Sequence, residues 1–195
     1  MTAPRRLGAA AAGLILAATL LPAQELTLSA GAGGFFPSRD YRTYYGGSTV
    51  LAGDVWLRLK GALGFATGVT VLSDRGTALG SGEAVDYPLR FRRTSIPLLA
   101  FYEFKARPFA VRLGAGAAYH VFRETWPTVD LDYRGHAVSP RVGLTVSAAV
   151  VGRMSIFSSA AYEPIRAGAD SPAGRNKPIG GFQVLGGLLF RVFSR

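Results

Sequence analysis

Cysteine is absent from this 195-residue chain, which removes disulfide frameworks, thiolate metal sites and cysteine nucleophiles together while leaving export open. Histidine is almost as rare, with only His120 and His136, so no transition-metal site and no cofactor is expected. Charge is scarce at 17% of residues, and the acidic share is the smaller, 12 residues against 22 basic ones. The resulting +10 is not gathered into a basic, aromatic-rich polar face, so nucleic acid is not an expected partner. Long apolar runs are missing after residue 23, because Gly, Pro or charge interrupts every later candidate for a spanning helix.

The one apolar run lies at the start. Arg5 and Arg6 precede Ala9 to Leu21, and Ala23 follows as a small residue suited to cleavage. This order predicts a cleavable secretory signal over residues 1–23. The run is shorter than the ~20 residues a spanning helix needs, and Pro22 breaks any helix just before the cut. A single domain is expected over residues 24–195. Its net charge is +8, since Arg5 and Arg6 leave with the signal.

What the chain has in abundance is alternation. In Phe109 to Phe122, FAVRLGAGAAYHVF, a period of two puts Phe109, Val111, Leu113, Ala115, Ala117, Tyr119 and Val121 on one face. Ala110, Arg112, Gly114, Gly116, Ala118, His120 and Phe122 fall on the other. The first face is an unbroken apolar row. The second is too poor in charge for a surface washed by water and too small for a thick soluble core. Such a strand faces hydrocarbon on one side and the inside of a narrow closed barrel on the other.

The same design predicts strands over Glu25–Phe36, Thr49–Lys60, Ala62–Leu72, Arg90–Phe104, Ala137–Val151, Met154–Glu163 and Ile179–Phe193. Pro97 cannot donate to a ladder, so a bulge or interruption is expected there. The connections alternate long and short. Residues 37–48, 73–89, 123–135 and 164–177 read as long loops, with Tyr41, Tyr44 and Tyr45 expected at a membrane interface. In an up-and-down barrel these loops all emerge at one rim and the tight turns at the other. The fold expected is therefore all-β: an eight-stranded antiparallel transmembrane β-barrel. A soluble lipocalin-like barrel also alternates, but it would turn the Gly, Ala and Ser face to water. Outer-membrane lipid and lipopolysaccharide are the expected partners of so basic and apolar a chain.

Three segments, RRTSIPLLAFYEF (Arg92 to Phe104), FAVRLGAGAAYHVF and the terminal GGLLFRVF (Gly186 to Phe193), together resemble the small outer-membrane β-barrel family typified by OmpA and OmpX. The resemblance implies a monomer of the bacterial outer membrane, inserted by the barrel-assembly machinery. In that family the last residue is usually an aromatic on the lipid-facing phase. This chain departs from it, because strict alternation leaves Phe190 and Val192 in phase, puts Phe193 out of phase, and adds Ser194 and Arg195.

Inward-facing ionisable residues form the only constellation: Glu25, Asp54, Arg58, Glu103, Arg112, His120, Arg141, Glu163 and Arg191. Eight strands leave an interior that side chains can fill, and a charge there needs a partner. The expected role is a lumen plugged by interlocked Arg and carboxylate groups, in a protein with a structural or surface-interaction function. The alternatives are a small pore for ions or small solutes and a lipid-modifying enzyme built on Ser139 with His136 or Ser29 with His120. A hydrolase needs nucleophile, base and orienting acid together on the lipid-facing rim, and neither pair has that setting, so no enzyme is expected. Asp130 and Asp132 alone are too few for a calcium site.

Overall fold

The computed structural model describes residues 24–38, 42, 45, 48–79, 86–166 and 179–194. The expected signal, Tyr41 and Tyr44 lie outside them. Eight strands succeed one another: β1 (Glu25–Pro37), β2 (Ser48–Arg58), β3 (Leu63–Leu79), β4 (Asp86–Ala106), β5 (Phe109–Trp126), β6 (Leu131–Val151), β7 (Met154–Glu163) and β8 (Gly181–Ser194). Each pairs antiparallel with its neighbour, and β1 closes on β8, so the sheet has no edge. In hydrocarbon an open edge would leave backbone groups unpaired at several kcal/mol each.

The outer surface carries the apolar rows. Leu113, Tyr119 and Val121 of β5, Val138 and Val142 of β6, and Leu98 and Phe104 of β4 are all exposed. Tyr102, Phe104, Phe109, Phe190 and Phe193 ring the end where β1 starts and β8 finishes; Phe36, Tyr119, Tyr162 and Phe182 mark the other. Such girdles flank the apolar band of a transmembrane barrel. From Phe109 to Val121 the outward row climbs about 30 Å, at ~3.3 Å per residue and a tilt near 40°, enough to cross the hydrocarbon layer. The turns at the terminal end are short, and Gly61 (φ 88°) and Gly152 (φ 53°) supply the positive φ that two of them require.

At Pro97 the ladder is interrupted without a bulge. Pairing of β3 with β4 reaches Thr67↔Leu98 and resumes at Thr70↔Ser95 in the same register. On the other side β4 pairs with β5 unbroken through Pro97↔Ala118. The missing N–H is thus lost on the β3 side, where the Thr67 hydroxyl donates to the Pro97 carbonyl at 2.8 Å.

The structure corrects several expectations. β2 ends at Arg58, and Lys60 is exposed in the turn rather than the last residue of the strand. Much of residues 73–89 and 123–135 is strand: β3 and β4 extend as a hairpin, and β5 and β6 are joined by residues 127–130 alone. Beyond the membrane a strand pair no longer needs an apolar face, so its polar sequence resembles a loop. Tyr45 lies inside the barrel, 1% exposed, bridged to Gly76 and in ring contact with Phe91. At the C-terminal end Leu26 pairs with Phe193 but Thr27 pairs with Arg191. Val192 is the extra residue of a β-bulge, which reverses the side-chain phase and turns Phe193 outward.

Candidate functional site

Alternation sends every second side chain into the lumen, and the ionisable ones settle at two levels. The first lies at the mouth where β1 starts and β8 finishes. Glu103 Oε2 accepts from Arg112 Nε at 2.6 Å, while its Oε1 is 3.1 Å from Lys105 Nζ and 3.5 Å from Arg58 Nε. Glu25 Oε2 lies 3.1 Å from Arg58 Nη2, 3.5 Å from Lys105 Nζ and 3.7 Å from Arg191 Nε, and its Oε1 is 3.6 Å from Arg112 Nη2. Both carboxylates are buried, whereas Lys105 and Arg191 are nearly half exposed at the rim. The Arg112 guanidinium also covers Trp56 and Phe101 at 5.1 and 5.6 Å from the ring centroids. Gly64 makes this possible, because a Cβ there would collide with the Phe101 ring and the Leu57 carbonyl.

The second level is deeper and sealed. Glu163 takes one hydrogen bond on each oxygen, from Arg93 Nη2 at 3.2 Å and from Arg141 Nη1. Arg93 and Glu163 are each 1% exposed, and Arg93 lies 4.6 Å above the Phe35 ring centre. His120, fully buried, bridges two serines: Nδ1 to Ser95 Oγ and Nε2 to Ser139 Oγ, both 2.8 Å. A neutral imidazole donates from one nitrogen and accepts at the other, so one serine accepts while its counterpart donates. Between the levels a cavity of about 40 Å³ is lined by Asp54, Trp56, Pro97, Arg112 and Arg141 among others, space for two or three waters. Among the described residues Asp54 makes no ion pair; it accepts from Ser29 Oγ at 3.2 Å, and Ser29 in turn accepts from Trp56 Nε1 at 3.1 Å.

Above the sealed level the lumen turns apolar. Tyr45, Leu72, Phe91, Phe122, Ile165 and Ile179 belong to one buried cluster. At its edge, beyond the outer apolar belt, Glu124 accepts from Trp126 Nε1 at 2.7 Å. Burial pushes its carboxyl above the usual range, against the pull of hydrogen bonds from Trp126 and Tyr45. Burial likewise raises the Tyr45 phenol, helped by the charges of Glu124 and Asp74. Asp74 accepts from Ser48 Oγ at 2.5 Å.

All nine expected lumen residues face inward, but as two ionic groups rather than one network, with Asp54 and His120 held by neutral partners and Arg191 at the rim. Five more belong with them: Arg93, Lys105, Asp74, Glu124 and Tyr45. For Arg93 the alternation of β4 was sufficient signal. Asp74 and Glu124 continue the inward phase of Leu72 and Phe122, and assigning their segments to loops hid them. The serine and histidine pairs that an enzyme would use are not the ones brought together. His136 faces outward from β6 while Ser139 faces inward to His120, and Ser29 bonds Asp54 and Trp56. Among the described residues no three His, Asp or Glu side chains are grouped as metal ligands.

An edgeless eight-stranded cylinder, apolar outside and ion-paired within, defines a transmembrane barrel of the outer-membrane class. No family model and no curated protein matches the chain. Solved structures do. The outer membrane protein OprG of Pseudomonas aeruginosa superposes with a TM-score of 0.68 at 12% identity, over 89% of this chain and 98% of that one. A major outer membrane protein of Thermus thermophilus gives 0.56 at 15% identity, over 86% and 98%. Neisserial surface protein A gives 0.53 at 16%, over 85% and 95%. At these identities the likeness is one of fold, and the fold is that of small barrels of the bacterial outer membrane.

Proposed function

We propose that this chain is a monomeric outer-membrane barrel with a structural or surface-interaction role, its lumen plugged rather than conducting. The observation that carries this reading is the sealed Arg93–Glu163–Arg141 group stacked beneath a continuous apolar cluster. An ion entering the lumen would have to displace these buried charges from one another and then cross the apolar layer, each at considerable desolvation cost. Insertion by the barrel-assembly machinery belongs to the same reading, supported by the outward turn of Phe193. No catalytic role is assigned to His120, because both ring nitrogens are engaged inside the wall.

Planar-bilayer recording on the folded, detergent-purified barrel tests the plug. The wild type is expected to give no stepwise current. Regular unitary steps would replace the plug with the small-pore reading, to which the partly exposed Lys105 and Arg191 at the mouth would then contribute. Release of fatty acid from phospholipid or lipid A by the purified protein, lost in His120→Ala, would instead make it a lipid-modifying enzyme.

A further inference from the structure

The barrel wall is not of even height. β3 to β6 run for 17, 21, 18 and 21 residues, whereas β1, β2, β7 and β8 run for 13, 11, 10 and 14. The tall side carries a feature that the plug leaves unused. On its outer face, in phase with the lipid-facing residues and just beyond them, stand Arg75 of β3, Arg90 and Arg92 of β4, Arg123 of β5 and Arg134 of β6, all exposed. The register sets them side by side: Arg75↔Arg90, Arg92↔Arg123 and Arg123↔Arg134 are direct cross-strand pairs. Arg90 and Arg92 share a face two residues apart.

Like charges directly opposed on neighbouring strands destabilise a sheet, so such a row calls for counter-charge. Among the described side chains one carboxylate pairs with the row. Asp132 accepts from Arg123 at 2.7 and 2.8 Å and from Arg134 at 3.1 Å. Among the described residues no hydrogen bond or ion pair engages the guanidinium groups of Arg75, Arg90 or Arg92, and five cations against one anion leave the patch at a net +4. On the low side no outward-facing strand residue of β1, β2, β7 or β8 is charged; the outward rows there end in Phe36, Thr49, Phe182 and Tyr162.

Position narrows the identity of the missing anion. Arg123 is the next outward residue after Val121, about 7 Å further along the strand. Arg92 and Arg134 lie one further outward step beyond Ile96 and Val138, past Thr94 and His136. Guanidinium groups at that height, on long stems able to reach up or down, stand at the level of outer-leaflet headgroups. Their planar forks match phosphate oxygens in pairs.

We propose that the outer face of β3 to β6 is a binding surface for the phosphorylated glycolipid headgroup of the outer leaflet, with Arg75, Arg90 and Arg92 as its principal phosphate ligands and Asp132 as the internal anion that the lipid phosphate competes with. This rests on the membrane reading above and assigns its lipid partner to one side of the wall. Long acyl chains would lie along Leu98, Tyr119 and Val138 beneath the arginines, so a single lipid would use both rows.

The test uses the folded full-length protein in zwitterionic detergent, titrated with bisphosphorylated lipid A, with dephosphorylated lipid A and with sucrose octasulfate. Bisphosphorylated lipid A is expected to bind at least tenfold more tightly than the dephosphorylated form. The triple variant Arg75→Ala/Arg90→Ala/Arg92→Ala should lose about tenfold, and the matching Lys variant should recover part of it. Asp132→Asn should bind more tightly than wild type, a gain that a misfolded protein could not show. Arg107→Ala/Arg153→Ala, which removes two cations at the opposite rim, should bind as wild type does. Equal affinity for the two lipid A forms, or an unchanged triple variant, would overturn the proposal while leaving the barrel intact. So would preferential binding of the sulfated sugar, which would mark a soluble polyanion as the occupant. Failure of the wild type to insert into bilayers would sink the membrane reading and this inference together.

Discussion

Two ionic groups occupy the same lumen, built from the same residue types, yet they differ in redundancy and in access to water. At the mouth, Glu25 and Glu103 share Arg58, Lys105, Arg112 and Arg191, and two of those cations reach solvent. Deeper in, Glu163 bridges Arg93 and Arg141, with its own side chain and that of Arg93 1% exposed. A charge that loses its partner at the mouth can turn to a second carboxylate or to water. At the sealed level the guanidinium groups lie farther from bulk water, so more of the desolvation cost falls on the fold. The strength of an ion pair in a lumen is thus set by what remains after it is broken.

The sharpest break of this contrast is Glu163→Ala, which removes the carboxylate that two buried arginines share. It is expected to cost about 3–5 kcal/mol, read as a drop in the urea midpoint of the barrel in lipid vesicles. A loss below about 1 kcal/mol would mean that the sealed level is as well watered as the mouth. Glu103→Gln should be milder, about 2 kcal/mol, since Glu25 remains for Arg112 and Arg58; a cost equal to that of Glu163→Ala would erase the distinction.

Ser139→Ala probes the neutral part of the sealed level. It leaves one nitrogen of a fully buried His120 without its hydroxyl partner and should cost about 1 kcal/mol. Thermal unfolding followed by heat-modified gel mobility would resolve it.

The smallest effect expected is a gain. Glu124 has its folded-state pKa raised by burial, so the folded protein takes up this proton before the unfolded chain does. Ionised Glu124 therefore lowers stability at neutral pH, and that penalty fades as pH falls through the folded pKa toward the unfolded one. Glu124→Gln should be slightly more stable than wild type at pH 7 and should lose the advantage in acid. Asp132 carries the opposite sign: the hydrogen bond from Arg123, foremost, lowers its carboxyl pKa. Its contribution is present above the usual carboxylate range and disappears as pH falls through the lowered value. Urea midpoints from pH 2 to pH 7 separate the two, and a Glu124→Gln variant less stable than wild type across that range would reverse the assignment.

Much of this was legible beforehand because a strand in a two-sided wall writes its position into every second residue. The inward residues of β1, β5 and β6 could be read from period alone, and so could the ladder break at Pro97. Legibility failed where the two sides stopped differing. Past the membrane both faces of a strand meet polar surroundings, so residues 73–79 and 131–136 lost the contrast that marks a strand. It failed again at Val192, where one unpaired residue shifts the phase of the chain beyond it and brings Phe193 opposite Leu26. A period cannot announce its own interruption.

Sequence by itself therefore determined the closed antiparallel wall, its apolar exterior and the set of side chains that enter the lumen, because those arise from the local geometry of a pleated strand. Tertiary structure alone decided that Glu163 sits between Arg93 and Arg141, that Tyr45 folds inward over Phe91, and that five arginines line up on one side of the rim. These depend on the register and stagger of strands far apart in the chain, and those offsets are fixed only when the cylinder closes.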